Sequence, residues 1–238
     1  MLLWLVSDMK KLLAISAMAT LPLLAADRFK QTVDATHTDR FNVSAAGAIR
    51  LENSFGEVDI DGWDRPQVEV EVFRSTEKFY DHKNPKDAQR RLESVQVNTT
   101  QDGNDVVIST VYPARNAFLH PLCRRSDIEI KYRIHAPRAS KLIVDDHRGG
   151  VNVYDISGDI HATVINGQIT LTLAPTGRYA IDAQSKLGAV DSDFEGRDRH
   201  HLLGEGLTLE EKPPAANLYL RVRVGDIVIL KLNGPPAE

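Results

Sequence analysis

The chain has 238 residues, of which 42% are hydrophobic and 26% are charged, the proportions of a globular protein and not of a disordered one. Its formal net charge of −4 argues against a general binder of nucleic acid or of anionic membranes. A single cysteine, Cys123, excludes an internal disulfide, so the folded chain must gain its stability from a hydrophobic core.

Residues 1–26 have the order of features of a secretory signal peptide. Met9-Lys10-Lys11 gives a positively charged start, residues 12–24 are mostly apolar, and Ala25-Ala26 supplies small residues for cleavage. The apolar run is shorter than the roughly 20 residues that span a bilayer. We therefore expect an exported protein without a stable membrane anchor, periplasmic in preference to secreted or surface-bound, that starts at Met1 or Met9. An uncleaved anchor is the alternative.

Residues 27–45 are predicted to be a linker that contains the first strand. From residue 46 onward apolar and polar residues alternate in three runs, which predicts strands with one buried and one hydrated face. The apolar positions of these runs are Ile49, Leu51, Val58, Ile60, Val68, Val70 and Val72. Trp63, in the turn before the third run, is expected to cover the end of the apolar layer, with stacking on a sugar as the alternative.

A short helix and a hairpin are predicted next. Asn84-Pro85 is typical of a helix cap followed by the first helical turn, and the helix is expected to end near Ser94. Residues 95–99 and 106–111 are predicted strands, and Asp102-Gly103 between them favours a β-hairpin. Alternation over residues 128–134 then completes an N-terminal part, residues 46–138.

A repeat of glycine followed by alternating apolar residues dominates residues 139–232, which we expect to form one domain with residues 46–138. Each segment is too short to bury its own apolar face, so neighbouring segments must stack, with the glycines at the corners. Copies begin at Gly56, Gly150, Gly158, Gly167, Gly188 and Gly225. The predicted fold is all-β, a β-solenoid or β-helix-like stack of short strands with one short helix and a hairpin insertion.

Two surfaces of this stack are candidates for function. The first is the outward phase of the strands, where Asn152, Thr163, Thr170 and Thr172 form flat polar faces. The second is the charged stretch Glu195–Pro214, where the repeat stops and a loop over the stack is predicted. Residues 218–224 and 227–230 are then expected to add closing strands.

The segment Gly47–Trp63, GAIRLENSFGEVDIDGW, and the serial Gly-x-Ile/Val strands downstream resemble a bacterial "putative adhesin" family of exported β-strand-repeat proteins of unknown function. The resemblance covers roughly residues 45–232. It implies a β-solenoid-like all-β fold, and it provides no catalytic residues to transfer to this chain.

The sequence contains no phosphate-binding glycine loop, no Gly-x-Ser-x-Gly element and no zinc-ligand spacing. If Asp145, His147 and Asp191 lay on one edge of the stack they could hold a divalent cation, as oxygen-rich sites do in some β-solenoids. Solvated corners are the favoured alternative, also for Asp193 and His200-His201. Cys123, beside two arginines, is expected to be an incidental cysteine and not a reactive thiol.

These observations predict a non-enzymatic exported β-repeat protein of the cell envelope, a structural or binding (adhesin-like) module. We expect no catalytic, cofactor-binding or metal-binding residues. The predicted partner is an unknown envelope protein or glycan and not nucleic acid, and exposed edge strands give an opportunity for self-association. A polysaccharide-acting or cation-binding β-helix protein is the alternative.

Overall fold

The computed structural model describes residues 31–44, 47–78, 90, 92–111, 128–200 and 203–233. Fifteen strands make up most of these residues, so the nearly all-β fold predicted from the sequence is confirmed. In chain order the strands are β1 (Gln31–Asn42), β2 (Ala48–Phe55), β3 (Glu57–Trp63), β4 (Gln67–Lys78), β5 (Gln96–Asp102), β6 (Asp105–Val111), β7 (Ile128–Pro137), β8 (Lys141–Tyr154), β9 (Ile160–Leu173), β10 (Tyr179–Ser185), β11 (Val190–Ser192), β12 (Arg197–His200), β13 (Glu205–Glu210), β14 (Ala216–Val224) and β15 (Ile227–Lys231).

All fifteen strands belong to one sheet that bends along a column of glycines. β8 and β9 run through the bend, so each contributes its first half to one wing of the sheet and its second half to the other. The first wing has the order β5-β6-β2-β8-β9-β14-β10-β13-β12. The second wing has the order β1-β4-β7-β3-β8-β9-β15-β11.

The bend depends on glycine because two requirements coincide there. Gly149 has a φ of 146°, and a Cβ on it would lie 1.7 Å from the carbonyl oxygen of Gly56 in the next strand. A Cβ on Gly167 would in turn lie 1.6 Å from the carbonyl oxygen of Gly149. Only a residue without a side chain satisfies both the backbone angle and the close approach. A stack of glycines therefore forms the corner, and its members are Gly56, Gly149, Gly167, Gly225 and Gly188. Two of the predicted corner glycines are wrong: Gly150 lies one residue past the stack, and Gly158 packs against the backbone of Ser140.

The inner faces of the two wings share a single hydrophobic cluster. Every second residue of the central strands is buried, because successive side chains of a strand point to opposite faces. The apolar positions of the repeat that the sequence predicts to be inward are all buried: Leu142, Val144, Val151, Val153, Ile160, Ala162, Val164, Ile169, Leu171 and Leu173. The alternation predicted from the sequence is thus the alternation that fills the core.

The stacking order differs from the order along the chain. β14 and β15, predicted to close the stack, lie inside it: β14 pairs with β9 on one side and with β10 on the other, and β15 lies between β9 and β11. The pairs β4–β7 and β10–β13 are antiparallel. A solenoid of consecutive coils is therefore not confirmed by the strand order.

The prediction of a loop over Glu195–Pro214 is wrong for the central part of this stretch. Residues 197–200 form β12 and residues 205–210 form β13, an antiparallel pair at the edge of the first wing. Leu207 lies opposite Ala183 and Leu209 opposite Ile181 of β10, so this short alternation extends the apolar layer. The strand character was concealed because all four residues of β12 are exposed and three of them are charged.

The hairpin is formed by β5 and β6, which pair antiparallel around Gly103 and Asn104. Arg90 and residues 92–94 are helical and represent the end of the predicted helix. Its predicted start, Asn84-Pro85, lies outside the described residues, as do the signal segment 1–26, Cys123 and His201. Within the described part of the chain, the helical residues fall short of the length and apolarity that crossing a membrane requires.

Candidate functional site

The structure separates the three residues of the hypothetical cation site. Asp145 and His147 are exposed on β8 in the first wing, whereas Asp191 lies on β11 in the second wing. The ring of His147 stacks on Phe55, with centroids 5.1 Å apart. Across the described residues, no group of three or more His, Cys, Asp or Glu side chains is arranged to hold a metal ion.

The outward polar residues are divided between the wings. Thr163 lies on the first wing, and Asn152, Thr170 and Thr172 lie on the second. Asn152 Nδ2 donates a hydrogen bond to Asp59 Oδ1 at 2.9 Å. The outward polar residues therefore belong to two faces, one on each wing.

An ion-pair network covers the outer face of β3 and β7 in the second wing. Lys131 Nζ lies 2.9 Å from Glu57 Oε2 and 2.9 Å from Asp59 Oδ2. Burial raises the pKa of Asp59, but hydrogen bonds from Asn152 and Lys131 outweigh it and leave the pKa below its ordinary value. Hydrogen bonds to Asp59 and Glu57 raise the pKa of Lys131. One lysine thus pairs with two carboxylates, and these hydrogen bonds hold the three side chains against the outer face of the sheet.

A groove of about 330 Å³ crosses the outer face of β14, β10 and β13 and is the more distinctive surface. The register between these strands creates it: Asp182 of β10 lies opposite Tyr219 on one side and Thr208 on the other. Arg199, from β12, reaches over the same strands. The groove is lined by Ala180, Ile181, Asp182, Arg199, Thr208, Leu209, Glu210, Asn217, Leu218 and Tyr219.

Asp182 is held between two arginines. Its Oδ2 accepts from Arg221 Nη2 at 2.6 Å and its Oδ1 accepts from Arg199 Nη2 at 2.9 Å. Arg221 Nη1 also donates to the backbone carbonyl of Asp182 at 2.7 Å. Burial raises the pKa of Asp182, but the hydrogen bonds and charges of Arg221 and Arg199 outweigh it, so the pKa is lower than usual. The carboxylate therefore stays ionised and positions both guanidinium groups.

Tyr219 places an aromatic surface beside this charged group. Its ring lies 4.6 Å from the ring of His161, centroid to centroid, and Arg221 Cζ lies 3.7 Å from its centroid. These contacts fix the ring, yet 39% of the residue stays exposed. A fixed and partly exposed aromatic ring next to hydrogen-bonding groups provides apolar contact and directed polar contact in one place.

Asp182 is held as an ionised carboxylate and does not have the raised pKa of a general acid. A general acid needs a carboxyl group whose pKa is raised, whereas the pKa of Asp182 is lowered by its arginines. Glu210, the other carboxylate of the groove, is exposed and lies 3.6 Å from Lys212 Nζ. Asn217 Nδ2 donates to Asp159 Oδ1 at 3.1 Å, which leaves the side-chain carbonyl of Asn217 facing the groove as an acceptor. Further N–H groups of Arg199 and the carboxylate of Glu210 add donors and acceptors for a polar ligand.

A second groove, of about 470 Å³, lies between β11 and the β12–β13 pair and brings together two of the residues singled out in the sequence, Asp191 and His200. His200 Nδ1 lies 3.6 Å from Glu205 Oε1, while Glu205 Oε2 accepts from the backbone N–H of Val190 at 3.2 Å. Asp193 Oδ2 accepts from the backbone N–H of Lys231 at 2.9 Å. These acidic groups serve the backbone, which is the role that the sequence favoured for corner residues.

Asp182 is the important residue of the first groove that sequence reasoning missed. Its strand, β10, carries a signal: Tyr179, Ile181 and Ala183 are buried and alternate with half-buried neighbours. Gly177-Arg178 stands before Tyr179 as Gly158-Asp159 stands before Ile160. A copy of the repeat that begins at Gly177 could therefore have been found from the sequence. Tyr219 and Arg221 lie on the outward phase of β14, where they alternate with the buried Leu218, Leu220 and Val222.

No protein-family model matches this chain, and no curated protein matches it. Several solved structures align with most of this chain. A putative cell adhesion protein from Clostridium sporogenes has a TM-score of 0.48 and 11% identity, covering 85% of this chain and 100% of that one. A putative adhesin from Bacteroides fragilis has a TM-score of 0.30 and 10% identity, covering 82% and 97%. A putative adhesin from Parabacteroides distasonis has a TM-score of 0.25 and 11% identity, covering 82% and 70%.

The solved structures that this chain is similar to thus bear the same family description that the sequence suggested. At these TM-scores and identities the similarity identifies no function and no ligand for this chain.

Proposed function

We propose that this protein is an exported, non-enzymatic binding module of the cell envelope, periplasmic after removal of residues 1–26, with a solenoid-like parallel centre. Its groove on the first wing binds a glycan. The observation that carries this proposal is that the partly exposed Tyr219 lies in one concave surface with Asp182 and Arg199. Arg221, which does not line the groove, holds Asp182 from the side.

A sugar ring matches the two kinds of surface in the groove. One face of a pyranose presents C–H groups, which pack on an aromatic ring, while its edge presents hydroxyl groups that both donate and accept hydrogen bonds. Tyr219 provides the aromatic surface, and Arg199, Asn217 and Glu210 provide donors and acceptors at its side. Because Asp182 locks the arginines in place, less side-chain entropy is lost when the ligand binds.

The same features favour a neutral or mixed-charge glycan over a strongly anionic one. The groove lining contains one arginine and two carboxylates, Asp182 and Glu210. A polyanion would meet these carboxylates, whereas hydroxyl groups pair with guanidinium, amide and carboxylate groups alike.

The test compares two tyrosines of equal exposure. Tyr219 is 39% exposed in the groove and Tyr154 is 38% exposed on the outer face of the second wing. We expect isothermal titration with soluble peptidoglycan fragments and envelope polysaccharide to show binding that Tyr219→Ala removes and Tyr154→Ala retains.

Equal losses in both variants would show that the groove is not the binding site. Release of shortened glycan chains during the titration, detected by mass spectrometry, would contradict the non-enzymatic role. Circular dichroism of both variants establishes that the sheet is intact.

A further inference from the structure

β1 leaves one edge of the second wing open. It is 12 residues long and pairs with β4 along its whole length without a register shift. Among the strands that the structure describes, none lies on its other side. Every second residue of β1 therefore directs its backbone N–H and C=O groups away from the sheet, where another strand can pair with them.

The sequence of β1 lacks most devices that prevent such pairing. Edge strands are usually protected by shortness, proline, lysine or a bulge. β12 and β11, at the far ends of the two wings, have only four and three residues. β1 has no proline, lysine or bulge, and its inward-phase charges, His37 and Asp39, form an ion pair of 3.0 Å with each other.

Symmetry restricts how β1 can pair with a second β1. In an antiparallel pair, opposite residues either exchange both hydrogen bonds or exchange none. Two identical strands related by a two-fold axis must therefore place the axis at a residue and not between residues. A two-fold axis at Asp39 would place the Asp39 side chains of the two copies opposite each other. An axis at His37 avoids this contact and lets the two copies of β1 pair over nearly their full length.

We propose that β1 pairs antiparallel with β1 of a second copy of this chain, with the two-fold axis at His37. In this register Asp34 of each copy lies opposite Arg40 of the other, and Thr36 lies opposite Thr38. The two Asp34–Arg40 pairs are related by symmetry, so one favourable contact is made twice. Opposite charges across antiparallel strands stabilise the pair, which makes the edge self-complementary.

Arg40 is already oriented for this contact. Its Nε donates to Glu69 Oε2 of β4 at 2.5 Å while its side chain stays 61% exposed. Asp34 of the second copy would approach the opposite side of the same guanidinium group. Arg40 would then bridge a carboxylate within its own sheet and one across the axis, as the planar, five-donor guanidinium group permits.

Charge reversal tests the pairing, with sedimentation equilibrium of the purified protein as the measurement. Wild type is expected at twice the chain mass. Asp34→Arg and Arg40→Asp each place two pairs of like charges across the axis, and each should weaken the dimer roughly tenfold or more. In a one-to-one mixture of the two variants, a mixed dimer again has an arginine opposite an aspartate at both contacts, so dimers should form again.

A monomeric wild type, or a mixture that stays monomeric although both variants melt like wild type, would overturn the proposal. Cysteine cross-linking provides an independent measurement should Arg40→Asp fail to fold. In a Cys123→Ser background, His37→Cys brings two cysteines to the axis at the Cα separation of a strand pair, about 4.5–5.5 Å, which suits a disulfide. Thr38→Cys, displaced from the axis, should cross-link at least tenfold more slowly. Equal rates would exclude this register.

Discussion

The adjacent glycines Gly149 and Gly150 allow a sharp test of why the sheet bends. Gly149 has a φ of 146°, and a Cβ on it would lie 1.7 Å from the carbonyl oxygen of Gly56. A Cβ on Gly150 would meet nothing within 4 Å. Alanine at the first position should therefore disrupt the corner, whereas alanine one residue later should be tolerated.

The expected changes in the free energy of unfolding follow from these two environments. A non-glycine residue forced to such a φ costs about 1–3 kcal/mol, and relieving a backbone overlap costs about 1–3 kcal/mol more. Gly149→Ala should thus lower the free energy of unfolding by about 2–6 kcal/mol, a large part of the stability of a typical domain. Gly150→Ala should leave it unchanged or raise it by about 0.4–1 kcal/mol, because alanine restricts the unfolded chain.

Urea unfolding followed by circular dichroism measures both variants. We expect the midpoint of Gly149→Ala to fall while the slope stays that of wild type, since the surface exposed on unfolding is unchanged. Equal midpoints for the two variants would refute the stacked-glycine explanation, and so would a loss confined to Gly150→Ala.

Three further outcomes are expected. Leu171→Ala, in the fully buried centre of β9, should lower the free energy of unfolding by about 2–5 kcal/mol in urea titrations. Asp59 and Asp182 have lowered pKa values, so the stability they contribute is present above pH about 4. It is lost as the pH falls through their folded pKa, and Asp59→Asn should flatten this acid slope in unfolding curves. Arg199→Ala should raise the pKa of Asp182 towards its usual value in an NMR titration.

The strands and the core could be predicted because their signal is local. Val151 and Val153, or Ile169 and Leu171, alternate with polar residues. Because successive side chains of a strand point to opposite faces, this alternation shows directly which side chains are buried. The corner glycines are equally local, since Gly149 and Gly167 satisfy a backbone requirement at their own positions.

The order of the strands could not be predicted, because the repeats are nearly interchangeable. The Gly-x-apolar pattern at Gly225 is the same as that at Gly188. The residues of the two segments therefore do not determine which of them pairs with β9. The groove was hidden for a related reason: Asp182, Arg199 and Tyr219 come from three strands, and only the register between those strands brings them together.

The interior position of β14 and β15 has a consequence for the order in which the sheet forms. A chain that emerges from its N-terminus delivers β10 to β13 before it delivers β14, yet among the described strands those four attach to the sheet only through β14 and β15. These strands cannot join the rest of the sheet until residues 216–231 have emerged. A chain halted before residue 216 therefore lacks the middle of its sheet, and the groove forms only when β14 has arrived, because β14 carries Asn217, Leu218 and Tyr219 of its lining.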